Sequence, residues 1–220
     1  MLKTFALTLL LFLVPASAQE TNRPLPAPLD DAQATGSQQA VFAGGCFWGL
    51  QGVFQRVKGV RQVLAGYSGG AAGTAHYDMV GQSNTGHAEA VRILYDPHQV
   101  SYGRLLQVFF SVMDPTTKNY QGPDEGSQYR SEVFAADAEQ HRVAQAYIAQ
   151  LARSQAFARP IVTLVSELHG FYPAEGYHQD YLLRHPYQPY IVINDLPKVE
   201  KLQRLYPDLY QNRPVTVAAR

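Results

Sequence analysis

The chain's one cysteine, Cys46, stands in the run GGCFWG, two positions before its one tryptophan, Trp48. A lone thiol there points to thiolate chemistry. At a helix N-terminus, unpaired N–H groups and the positive end of the helix dipole favour the thiolate, and Gly44 and Gly45 permit a sharp bend that leaves room for a ligand. The plainer alternative is a buried cysteine acting as a small hydrophobe. Phe47 and Trp48 come next, and two consecutive side chains on a first helical turn cannot both enter the core. One at least should face a cleft, where an aromatic wall would hold an apolar group such as a methyl; packing of both rings into the core is the competing possibility.

In TGHAEAVRILYD, strand alternation puts Glu89 on one face with His87, Val91, Ile93 and Tyr95. A carboxyl desolvated in that way keeps its proton near neutral pH and can serve as a general acid. A glutamate at the strand edge, reaching water or an arginine, is the alternative. The loop DPTTKNYQGPDEGSQYRSEVF carries Asp124, Glu125, Tyr129 and Arg130. Together with Tyr77, Asp124 and Tyr129 offer hydrogen-bonding groups for an oxygen that gains negative charge, although most of the 14 tyrosines must be structural. The seven histidines are scattered. His169, His178 and His185 match no common ligand spacing, so no metal is expected, and His178 reads as a packed residue beside the site.

These residues need elements to position them. QQAVFAGG reads as a buried strand and FWGLQGVFQRVK as a helix, which leaves Cys46 on the turn between them. RQVLAGYSGG, HAEAVRILYD, YRSEVFA and IVTLVSEL read as further strands. SYGRLLQVFFSVM, N-capped by Ser101 and stopped at Asp114-Pro115, and ADAEQHRVAQAYIAQLARS read as helices. Residues 114–128 and 185–220 are dense in Pro, Gly and Tyr, which predicts ordered irregular chain with a short helix near Lys198 to Leu205. Alternation of the two element types predicts an α/β or α+β two-layer sandwich.

Residues 1–18 have the layout of a secretory signal peptide: Lys3, an apolar stretch from Phe5 to Val14, and the exit Ala16-Ser17-Ala18. The stretch is about half the ~20 residues a transmembrane helix needs, so no stable membrane insertion is expected after cleavage. An uncleaved anchor is the alternative. Residues 19–38, with three prolines in five positions, predict a flexible linker, and residues 39–220 predict one catalytic domain with a substantial core. Eighteen basic residues balance eighteen acidic ones without a basic stripe, so nucleic acid is not an expected partner. With one cysteine, no disulfide can form within the chain.

Five segments taken together resemble the A-type peptide methionine sulfoxide reductases: GGCFWG at 44–49, GYSGG at 66–70, TGHAEAV at 85–91, DPT with QGPDEGSQYRS between 114 and 131, and AEGYHQDYL at 174–182. The resemblance spans about residues 39 to 190. It implies a ferredoxin-like core with a mixed sheet and long coil segments. It also implies Cys46 as nucleophile, Glu89 as acid, Phe47 and Trp48 as the methyl pocket, and Tyr77, Asp124 and Tyr129 around the substrate oxygen. The implied reaction is reduction of methionine S-sulfoxide, free or in oxidised proteins and peptides, through a Cys46 sulfenic acid. Gly81 and Ser83 depart from the family's usual turn. More consequentially, many members carry further C-terminal cysteines that resolve the oxidised nucleophile, and this chain has none.

A resolving thiol would then come from outside: a thioredoxin-like or glutaredoxin-like protein, or a small thiol, with no other cofactor. A monomeric exported enzyme, periplasmic rather than secreted to the medium, is the expectation. Two rivals stay open at this point. A cysteine hydrolase or acyltransferase would pair Cys46 with His87 or His178, and a non-catalytic thiol would sense redox state or link two chains by a disulfide.

Overall fold

The computed structural model describes residues 23–33, 36 and 38–217; the leader predicted over 1–18 lies outside them. Its strands are β1 (Gln38–Gly44), β2 (Val60–Ser68), β3 (Ala88–Tyr95), β4 (Tyr120–Gln121), β5 (Asp124–Glu125), β6 (Ser131–Ala135), β7 (Leu164–Glu167) and β8 (Phe171–Pro173). Its α-helices are α1 (Phe47–Phe54), α2 (Tyr77–Val80), α3 (Tyr102–Val112), α4 (Ala138–Arg153), α5 (Tyr181–Arg184) and α6 (Leu196–Leu205). Six strands form one mixed sheet in the order β7-β6-β1-β3-β2-β8, with β4 and β5 as a separate small hairpin. Among the described residues only β6 and β7 pair in parallel. The result is an α/β sandwich, and the predicted strands and long helices all form.

Alternation divides the sheet into two unequal faces. Ala40, Phe42, Val91 and Ile93 enter the main core beneath α1, α3, α4 and α6, where Phe42 meets Phe54, Tyr102 and Phe109 ring to ring. Val41, Ala43, Ala88, Ala90 and Phe134 form a thin second layer, covered by Leu168 and Phe171. The small residues of that layer let the returning chain lie close, and the Arg92 guanidinium sits 5.0 Å from the Phe171 ring centroid.

The antiparallel register gathers distant positions at one end of the sheet. Ala43 lies opposite Ala90, Tyr67 opposite Glu89, and Gly44 opposite Ser131. The exit of β1, the end of β2 and the starts of β3 and β6 therefore share one edge. Gly45 makes the turn out of β1 at a φ of 85°, and a Cβ there would come within 2.6 Å of Gln121. Glycine is required on both counts.

Two stretches differ from their sequence reading. The segment predicted as a flexible linker is docked through residues 25–31. Leu25 is buried in the main core. Its N–H donates to the Tyr206 hydroxyl at 3.1 Å, and its carbonyl accepts from Gln107 at 2.6 Å. Tyr147 and Gln150 donate to the carbonyls of Pro26 and Ala27, and Asp31 accepts the Gly103 N–H at 2.7 Å, capping α3. Prolines hold this arm extended and prevent it from bonding to itself, so side chains of α3 and α4 satisfy its carbonyls and Tyr206 accepts the Leu25 N–H. In the C-terminal region, the predicted short helix begins earlier. A π-helical turn over Ile191–Asp195 runs straight into α6.

A Leu25→Ala substitution removes the arm's only fully seated apolar side chain, and it is expected to lower unfolding free energy by about 2 kcal/mol, read as a lower urea midpoint with an unchanged slope.

Candidate active site

Cys46 is the N-cap of α1 and lies almost wholly buried. One hydrogen bond ties its helix to the neighbouring strand: the Phe47 N–H donates to Glu89 Oε2 at 3.0 Å. Glu89 is itself buried, on the β3 face that continues through Val91, Ile93 and Tyr95, and desolvation pushes its carboxyl up to about 8. The bond from Phe47 opposes that rise, while Asp124 and Asp195 add to it. At neutral pH the group is a protonated acid.

The thiol departs from the sequence expectation. A helix N-terminus should favour the thiolate, yet burial pushes the Cys46 thiol well up, and Glu89 and Asp195 push it further. Lys198 and an N–H from Trp48 act the other way but do not win. Desolvation outweighs the ends of a two-turn helix, whose dipole contribution is of the order of 1 kcal/mol.

The paired aromatics divide as the spacing predicts. Phe47 is fully buried, while Trp48 is partly exposed. Trp48 is held on three sides: its ring stacks on Tyr181 at 3.8 Å and 8°, Tyr190 meets it edge-on, and its Nε1–H donates to His178 Nδ1 at 3.1 Å. His178 in turn lies 5.1 Å from the Phe47 ring and 4.4 Å from the Tyr77 ring. It is buried, and desolvation lowers its pKa, so it sits in the site as a neutral imidazole.

Tyr77 and Tyr129 are half-buried, and both phenols are held protonated by desolvation and then by the field of Glu89, with Cys46 a further contributor to each. Tyr77 opens α2, where its N–H donates to Glu175 at 3.0 Å; the other Glu175 oxygen accepts from Tyr67. Arg130 bridges two loops by donating to the carbonyls of Gly86, His87 and Ser127. It thereby fixes the loop carrying Tyr129 against the entry to β3. Asp124 accepts a hydrogen bond from the Tyr190 hydroxyl. The structure thus brings Cys46, Phe47, Trp48, Tyr77, Glu89, Asp124 and Tyr129 to one edge of the sheet.

Four participants had no sequence signal strong enough to single them out: Tyr181, Tyr190, Asp195 and Lys198. The last two form a pair at 2.9 Å, and their i, i+3 spacing on a helix was the available cue. A cavity of about 280 Å³ adjoins the site, with Gln121, Asp124, Tyr190 and Lys198 in its lining. Among the described residues no cluster of His, Cys, Asp or Glu is placed to hold a metal ion. His87, a possible base in the hydrolase alternative, has both ring nitrogens engaged with the backbone of Gly70 and Ala71.

The sequence model of the peptide methionine sulfoxide reductase family matches residues 38–209. A peptide methionine sulfoxide reductase MsrA 2 of Mesorhizobium japonicum is 55% identical over 190 residues, spanning 86% of this chain and 97% of that protein. A counterpart of the same name in Synechocystis is 52% identical over 193 residues, spanning 85% and 90%. Among solved structures, reduced Mxr1 from Saccharomyces cerevisiae superposes with a TM-score of 0.62 at 30% identity, covering 69% of this chain and 87% of that one. Methionine sulfoxide reductase A of Corynebacterium diphtheriae gives 0.62 at 29%, covering 77% and 87%.

A buried carboxyl raised from 4.5 to about 8 binds a proton in the folded state that the unfolded state has lost, so stability falls as pH rises between those values. Glu89→Gln abolishes that slope. Thermal melts should show the variant gaining on the parent by several kcal/mol between pH 5 and pH 9.

Proposed function

Because this chain belongs to the peptide methionine sulfoxide reductase family and is a methionine sulfoxide reductase, we propose that Cys46 is its nucleophile, Glu89 its acid, and the S-sulfoxide of methionine its substrate. The observation that carries this reading is the buried Glu89 carboxyl bonded to the first N–H of the helix that Cys46 caps. A thiolate attacks sulfoxide sulfur only if the departing oxygen is protonated or strongly hydrogen-bonded, since oxide is a poor leaving group. Glu89 holds the proton within one residue of the sulfur, and Tyr77 and Tyr129 supply neutral O–H donors to the same oxygen. Asp124, fixed by Tyr190, takes part through that polar wall. Phe47 and Trp48 receive the methyl group.

The first half-reaction converts Cys46 thiol and sulfoxide to Cys46 sulfenic acid and methionine; sulfoxide sulfur gains two electrons and Cys46 sulfur loses them. One external thiol then forms a mixed disulfide with Cys46 and releases water, and a second releases the enzyme thiol and carries away the disulfide. The single cysteine of the chain supports an external reductant, thioredoxin-like, glutaredoxin-like or a small thiol. The leader layout of residues 1–18 supports repair of oxidised exported proteins in the periplasm, and the proposed enzyme acts as a monomer through a catalytic domain over 39–220.

With blocked methionine sulfoxide supplied as both sulfur epimers and excess dithiothreitol, chiral chromatography should show loss of the S epimer alone. Cys46→Ser should show no turnover, and Glu89→Gln should lose about 10²–10⁴-fold in kcat. Because attack needs a protonated Glu89 together with a Cys46 thiolate that burial makes scarce, kcat/KM of the parent should climb with pH and stop climbing at about 8, where Glu89 gives up its proton. Consumption of neither epimer would sink the reading.

A further inference from the structure

Asp195 is fully buried, and only one of its oxygens is satisfied. Oδ1 accepts from Lys198 Nζ at 2.9 Å, while Oδ2 has no hydrogen-bond partner among the described residues. Lys198 is itself largely covered, its side chain 16% exposed. The pair sits against the first turn of α1. A Cβ built on Gly49, the third residue of that helix, would fall 2.2 Å from Asp195 Oδ1 and 2.9 Å from Lys198 Nζ. No residue but glycine leaves space for the pair. The π-helical turn over Ile191–Asp195 delivers Asp195 to this place, and such widened turns recur at functional positions.

Stability does not account for the arrangement. Two desolvated charges with a lone pair left unsatisfied gain little over an apolar pair of the same volume. What the pair does have is a neighbour whose charge matters. Among the described residues, the charged groups that act on Cys46 are Glu89 from β3, Asp195 from the π-helical turn and Lys198 from α6, and the neutral phenols of Tyr77, Tyr129 and Tyr190 feel its charge. Two are carboxyls. Lys198 is the one cation of that set.

We propose that Lys198, held against α1 by Asp195, is a positioning residue that favours the negatively charged form of Cys46. The nucleophile must lose a proton inside a site that burial and carboxyls make hostile to a second negative charge. A cation tethered beside the helix offsets part of that cost without touching substrate. Asp195 anchors the ammonium and also repels the thiolate, and its repulsion exceeds the attraction of Lys198. Removing Asp195 therefore favours the thiolate even if the ammonium is freed, while removing Lys198 disfavours it, a pair of opposite signs that a packing role would not produce. The proposal rests on Cys46 being the nucleophile.

The rate of Cys46 alkylation by iodoacetamide, followed by mass across pH 6–10, reads the thiolate directly because the chain has no other cysteine. Performed in a Glu89→Gln background, it is free of the titration of Glu89. Lys198→Met should move the profile up by about one pH unit and cost about tenfold in kcat/KM in the otherwise unaltered enzyme. Lys198→Arg should restore the profile, and Asp195→Asn should move it down. Should Lys198→Met fail to fold, the sign of the Asp195→Asn shift decides alone. Coincident profiles, or shifts of both variants in one direction accompanied by lower melting temperatures, overturn the proposal even if the parent reduces sulfoxide. A parent that fails to reduce sulfoxide overturns the nucleophile reading instead.

Discussion

The hydrogen bond from the Phe47 N–H to Glu89 is the contact on which the rest of the site depends. It joins the two functions a sulfoxide reductase must keep together and apart: a sulfur that attacks and an acid that waits. The antiparallel pairing of β1 with β3 makes the bond possible, because it sets the exit of one strand beside the entry of the other. The carboxyl accepts the N–H through one oxygen and can carry its proton on the other, so a group that serves as an acid also satisfies a donor at a helix start. Burial sustains both roles. Opened to water, Glu89 would ionise near neutral pH and have no proton to give.

That same burial reverses a simple expectation about the thiol. Position at a helix N-terminus argues for a thiolate, and the residues around Cys46 argue more strongly against one. The short α1 contributes a weak field, while the cost of desolvation is charged in full to any anion formed there. An environment suited to holding a proton on Glu89 is unsuited to removing one from Cys46. A site of this kind reconciles the two by local charge, which is where the buried lysine of α6 acquires its interest.

Much of the architecture was legible because it is local. Alternation in β3 put Glu89 on the core face, the glycines before Cys46 marked the turn, and consecutive Phe47 and Trp48 had to part company. The gathering of these positions follows from strand register. What escaped was tertiary. Asp195 lies in a π-helical turn and Tyr190 just before it, in a stretch without period whose placement is set by packing against α1. The proline-rich arm over 25–31 has one useful apolar residue, Leu25, and its carbonyls find partners in Gln107, Tyr147 and Gln150, far along the chain. Composition reads the arm as a segment with little to bury; it could not report that the rest of the protein would supply a seat.

The contact between Leu25 and Tyr206 has a bearing on how the molecule is made. The two residues are 181 apart in sequence, so a chain growing from its N-terminus carries the arm unseated while the intervening residues are made. The sheet can assemble as its strands emerge, but the site's C-terminal wall and the arm arrive together, late, as one closing event. Closure over so long a span costs little more entropy than over a moderate one, yet it comes last in time. The nucleophile is therefore left uncovered in the nascent chain until α6 docks on α1.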